Sequence, residues 1–226
     1  MPDLSREQSK DAIYRDRMLN VLVLQLEQRQ LSEITLETVA RSAHFEMARA
    51  TSLFSSCEGL VMAHFDRISR TVLDRLGLIL ASPGPAPKRC AEMLLSRVLV
   101  RWDAIQGYRA NAAGMVQNLL PLFLERHRIH CAAEAKFLSA LLSEAQVGAR
   151  SVKWDPTSAA SALITATNAL IPYVLTPTEV SSRAVLKQNV ERISALLLPG
   201  LFPVAGKPGR SFSGRIGVPD GRMIAH

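Results

Sequence analysis

An all-α fold is what this chain predicts, and three observations carry the prediction. Apolar residues return at helical spacing along nearly the whole chain, and no alternating strand pattern rises above the background. Hydrophobic residues make up 48% and aromatics only 5%, so a core must be built from Leu, Val, Ile, Ala and Met. Breaks are few: the Ser82–Pro87 segment SPGPAP, and a tail holding five of the twelve glycines.

The elements follow in order. Met18, Leu22 and Leu26 mark a first helix over 11–30. Leu36, Val39 and Ala40 mark a short second one behind Thr35 as N-cap, and a short third runs over 47–54. A long fourth covers 58–80. After the proline break a fifth spans 88–105, with Met93, Leu94, Val98, Leu99 and Trp102 on one side. Two more are expected over 108–120 and 122–147. Asp155-Pro156 reads as N-cap and N1 of a helix to residue 175. Thr176-Pro-Thr-Glu179 reads as a capping box opening the last, which Pro199-Gly200 should stop. The chain thus divides into a head (1–60), a helical body (61–203) and a flexible tail (204–226).

Several function classes fall away. The opening MPDLSREQSKDAIYRDR has no apolar core of a secretory signal. The uncharged run 156–178 carries Ser, Thr, Asn and Pro, so packing rather than a membrane span is expected. Cys57, Cys90 and Cys131 are odd in number and far apart, which fits a reducing cytoplasm and not a disulfide framework. No nucleophile triad, phosphate loop or zinc-protease motif is present, so neither an enzyme nor a cofactor is expected. His127, His130 and Cys131 share a helical face, but three groups without a fourth ligand read as packing residues rather than a metal site.

Two short helices joined by a brief turn after a longer helix are the helix-turn-helix layout. Here they are Thr35–Ala43, the turn His44-Phe45-Glu46, and Met47–Phe54. With Thr35, Val39-Ala40, Ala43 and the junction Phe54-Ser-Ser-Cys-Glu-Gly-Leu60, the stretch from Asp16 to Phe65 resembles the tetracycline-repressor (TetR) family of bacterial transcription regulators. The length and the roughly nine-helix count are similar too. The resemblance implies a homodimer that binds a double-stranded DNA operator and responds to a lipophilic small molecule, most simply as a repressor.

DNA contacts are expected from Thr35 and Arg41 to phosphate and from Met47, Arg49, Thr51 and Ser52 in the major groove, with Arg49 taking guanine. A local alternative pairs Arg49 with Glu46, three residues back. The effector region would comprise Trp102, Tyr108, Met115, Asn118, Phe123, His127 and Phe137, residues that ordinary core packing would also use. The dimer is expected from the last two helices as an antiparallel pair, through Ala159, Leu163, Ala166, Leu170, Leu186, Val190, Ile193 and Leu197.

The head departs from the family's pattern where DNA would be touched. His44 replaces a turn glycine, Glu46 a small hydroxyl residue, Ala48-Arg49 a Gly-Thr pair, and Cys57 a phosphate-binding lysine. The whole chain carries +7, yet residues 1–60 hold seven basic against nine acidic side chains, a net of −2. A rival reading follows: a regulator-like protein that no longer reads DNA and instead binds another protein or sequesters a lipophilic ligand.

Overall fold

The computed structural model describes residues 4–146, 154–172 and 182–202. They form α1 (Leu4–Gln28), α2 (Leu36–Ser42), α3 (Met47–Leu53), α4 (Cys57–Ala81), α5 (Ala86–Ile105), α6 (Arg109–Asn118), α7 (Leu120–Gln146), α8 (Pro156–Asn168) and α9 (Arg183–Leu201). Single 3₁₀ turns at Leu31–Glu33 and Gln106–Tyr108 join neighbouring helices, and among the described residues there is no strand. The tail and the Thr176–Glu179 capping box lie outside the described residues.

Local chemistry sets most boundaries. Thr35 and Thr38 cap α2 reciprocally, Ser56 caps α4, Asp155 caps α8, and Pro156 opens α8 where its missing N–H is harmless. Gly84, at φ +134°, turns the chain between α4 and α5. Several expected bounds differ. The first helix begins at Leu4, because its added turns are polar helix formers that leave no apolar period to read. The fifth begins at Ala86, since Pro87 is tolerated in a first turn. The eighth ends at Asn168, ahead of Pro172, which disfavours helical backbone in the residue before it. The last begins at Arg183 behind the Ser182 cap and runs through Pro199 to Leu201. There the proline removes a donor only in the final turn, and Phe202 N–H closes on the Leu198 carbonyl at 2.9 Å.

Packing gathers into two apolar clusters. The first joins α1, α2, α3 and the start of α4 to Ile105, Tyr108, Met115 and Phe123. The second joins the rest of α4 with α5, α7, α8 and α9. Helix α4 belongs to both, with Leu60 to Ile68 in one and Val72 to Ile79 in the other. It therefore links the head mechanically to the body. Helix α8 lies chiefly on α7 and α9 chiefly on α5, while α8 and α9 touch each other over a smaller area.

Candidate nucleic-acid interface

The α2–turn–α3 unit is built by small residues and one unusual backbone. Ala40, Ala43 and Ala50 are buried and let the two helices approach closely. His44 takes φ 58°, a left-handed conformation that histidine tolerates better than most residues, and Phe45 N–H then closes on the Ala40 carbonyl at 2.9 Å. The Phe45 ring meets Tyr14 of α1 edge-on, with centroids 5.2 Å apart. Gln25 of α1 clamps α2 from behind: its Nε2 donates to the Thr38 carbonyl (3.1 Å) and to Ser42 Oγ (3.0 Å).

Outward, α3 exposes Met47, Ala48, Thr51 and Ser52 on one face, with Met47 43% accessible. The Thr51 hydroxyl lies 3.0 Å from both the Met47 and Ala48 carbonyls, and Ser52 Oγ donates to the Arg49 carbonyl at 2.8 Å. Arg49 is turned away from that face. Its guanidinium pairs with Asp11 of α1 and sits over the Tyr14 ring, 5.0 Å from the centroid. Glu46 is therefore not its partner.

Two further cations of the head, Arg15 and Arg17 of α1, are also engaged. Arg15 donates to the Leu53 carbonyl and covers the Phe54 ring at 4.6 Å, and Arg17 covers Phe45 at 5.4 Å. Arg41 is exposed and pairs only loosely in energetic terms with Glu37, one turn back. Thr35 is committed to its cap: its N–H donates to Thr38 Oγ1 at 3.0 Å and its oxygen accepts from Thr38 N–H at 3.1 Å. Cys57, at the family's lysine position, donates to the Ile34 carbonyl at 3.4 Å. Burial, and then the Glu58 charge, push its thiol pKa up, so it remains a thiol.

The seven residues expected around a ligand are divided between the two clusters and the surface. Tyr108, Met115 and Phe123 belong to the first cluster, Trp102 and Phe137 to the second, His127 stacks half-buried on Phe123, and Asn118 is exposed. Two cavities lie elsewhere. One of about 730 Å³ runs between α5 and α9, lined by Ala91, Leu95, Val190, Ser194, Leu198 and Phe202 among others. The second, about 510 Å³, opens between α1, α4 and α5 at Val23, His64, Arg67 and Val100. Neither includes any of the seven.

At that second cavity His64 is held neutral. Burial, and then the Arg67 charge, lower its pKa to about 3. Its Nδ1 faces the Arg67 guanidinium at 3.4 Å, and its Nε2 meets the Tyr108 hydroxyl. Deeper in the body, Glu134 of α7 lies between Arg97 and Arg101 of α5, and its carboxylate and the Arg97 side chain are fully buried. Arg97 Nε donates to Glu134 at 2.7 Å and its Nη2 to Asn168 Oδ1 at 2.8 Å. Burial alone would raise the Glu134 pKa, but Arg101 and Arg97 more than offset that and hold it below the usual carboxylate value. His130 turns from Cys131 to Asp66 (2.8 Å), so the three-residue grouping read from spacing is divided.

Of the expected dimer stripe, Leu163, Leu186 and Val190 are buried within this chain, Ala159, Ala166, Leu170 and Ile193 are half-buried, and Leu197 is exposed. The outward faces instead carry Ser161, Ala162 and Thr165 on α8, and Val185 and Leu196 on α9, Leu196 being 80% exposed. No helix among the described residues is long and apolar enough to cross a membrane.

Neither a family model nor a curated protein matches the sequence. Solved structures do match the fold. One is a transcriptional regulator of the TetR/AcrR family from Thermobifida fusca YX-ER1, at 22% identity and TM-score 0.62, over 82% of this chain and 97% of that one. Another is the TetR family repressor AlkX from Dietzia sp. strain DQ12-45-1b, implicated in biodegradation of n-alkanes, at 20% identity and TM-score 0.53, over 81% and 95%. The chain has the all-α fold of these regulators.

Proposed function

We propose that this chain is a homodimeric, ligand-responsive transcriptional regulator, most simply a repressor, that acts in the cytoplasm and binds a palindromic operator through α2 and α3. One observation carries the reading: a helix-turn-helix unit clamped on α1, with an exposed recognition face, in a fold shared with TetR/AcrR regulators. Two such heads, set about 34–36 Å apart, would meet successive major grooves on one side of the duplex. Dimerisation through the outward faces of α8 and α9 would cover Leu196, Leu197 and Val185, large apolar side chains otherwise left in water.

An effector would enter the α5–α9 cavity, whose apolar walls suit a lipophilic molecule. Because α9 borders both that cavity and the proposed dimer face, a ligand there can favour one spacing of the heads. Its effect is bounded by its differential affinity for the two dimer states. AlkX, tied by name to n-alkane degradation, fits an effector of that class.

A second reading is favoured by a specific observation: Arg49 is held by Asp11 and Tyr14, leaving α3 without an outward cation. Such a head could bind protein instead of DNA. Titration with random duplex at low salt separates the two. A DNA reader binds weakly off target and loses that affinity steeply as salt rises; a protein-binding descendant shows almost no such binding.

A further inference from the structure

We infer that α3 reads thymine through its C5-methyl group rather than guanine through an arginine. The inference rests on the DNA-binding reading above and names what its recognition face would select.

The geometry leaves α3 with an apolar, donor-poor face. Arg49 is the only Lys or Arg between Arg41 and Arg67, and it is engaged with Asp11 and the Tyr14 ring. The two hydroxyls on the face donate back into the helix: Thr51 to the carbonyls of its own first turn, Ser52 to the Arg49 carbonyl. What remains outward is the Met47 side chain, the Ala48 and Thr51 methyls, and oxygen lone pairs on Thr51 and Ser52.

The major groove offers such a face a narrow choice. Guanine presents two acceptors, N7 and O6, and is read by donors that α3 does not aim outward. Thymine presents a methyl group, the one apolar feature of the groove, and its partner adenine presents an N6 amino donor for an oxygen acceptor. The α3 face complements both halves of an A·T pair. Glu46, exposed at the N-cap with no capping hydrogen bond, adds an acceptor suited to an exocyclic amino group. Its carboxylate would oppose a phosphate but not an adenine N6.

The test alters the DNA and leaves the protein intact. Operators are selected from random duplexes with the full-length chain, and each thymine of a half-site is then replaced by uracil, which deletes the methyl and keeps every hydrogen-bonding group. Two or more substitutions per half-site should each weaken binding about three- to fivefold, the worth of one buried methyl. In the Thr51→Ser variant, which loses only a methyl, one of those uracil effects should vanish. Selective, salt-dependent binding that is indifferent to every uracil, or guanine-anchored sites whose selection is lost in Arg49→Ala, would overturn the inference and leave the DNA reading standing. Absence of salt-dependent binding to any duplex, as for a protein-docking face, would overturn both.

Discussion

The two apolar clusters handle polar side chains in opposite ways. Where the head meets the body, the buried polar groups are neutral. Gln25 clamps α2, His64 pairs with Tyr108, and Asn111 Nδ2 donates to the Leu26 and Arg29 carbonyls at 2.7 Å each. In the body the largest fully buried polar side chains are ions, Arg97 and Arg101 with Glu134 between them, tied onward to Thr167 and Asn168 of α8. A neutral hydrogen bond contributes about 0.5–1.5 kcal/mol net, so the joint can exchange partners at small cost. A buried ion left without its partner costs about 3–5 kcal/mol, so the body is held to one arrangement of α5, α7 and α8. In the proposed regulator this would place compliance at α4 and the α1–α6 contact, where a ligand response would move the head, and rigidity beneath it.

The largest expected effect breaks the rigid half. Glu134→Gln leaves two buried guanidiniums facing a neutral amide and should destabilise by about 3–5 kcal/mol at pH 7. For a chain of this size that lowers Tm on the order of 10 °C, readable by calorimetry. The triple variant Arg97→Met, Arg101→Met, Glu134→Leu should recover most of the loss, because it removes all three charges together. A triple variant as unstable as the single one would show that the ions do more than satisfy each other. Since the Glu134 pKa is lowered, its contribution is present above the ordinary carboxylate range and is lost as pH falls through its folded value.

The second effect sharpens the neutral half. His64 has the ordinary histidine pKa of about 6.5 when unfolded and is pushed down to about 3 when folded. Between those values the unfolded chain binds a proton that the folded chain refuses, so stability falls as the solution is acidified. The slope reaches about 1.4 kcal/mol per pH unit, or roughly 2 kcal/mol by pH 5. His64→Phe should remove that component, so the stability difference between wild type and variant narrows from pH 7 to pH 5. His127, whose pKa burial also lowers, is common to both chains and cancels in the comparison. Parallel stability curves in urea at the two pH values would contradict a neutral His64.

The contrast also explains what could be read in the chain beforehand. Caps are local, so Thr35 and Asp155-Pro156 were legible from a few neighbouring residues, and the position of the turn at His44 from the spacing of two short helices. Arg97 and Arg101 look like a solvated stripe on α5, because their partner lies more than thirty residues away on another helix. Arg49 has the same character: Glu46 stands at helical spacing, but the carboxylate that holds it is Asp11, reached only once α1 packs against α3. For α8 and α9 the helical period identified apolar stripes, but a period does not say whether its stripe faces the chain's own body or a second copy. Leu163, Leu186 and Val190 face the body.

The smallest effect on stability carries the most information about the head. Both partners of the Arg49–Asp11 pair are more than a third exposed, and exposed pairs contribute only about 0.2–1 kcal/mol. Asp11→Asn should therefore cost a few tenths of a kcal/mol, since the Tyr14 ring still supports the guanidinium and an amide oxygen can still accept from it. Binding should respond more strongly than folding. With the carboxylate gone, the head loses one negative charge and Arg49 is freer to swing toward the duplex. Affinity for random DNA should rise, and the slope of log affinity against log salt should steepen by about one for a single added phosphate contact. An unchanged slope with raised affinity would mean that the substitution acts only through long-range charge and that Arg49 stays over Tyr14. In that case the α3 face remains the donor-poor surface described above, and sequence selection should be the same in Asp11→Asn as in wild type.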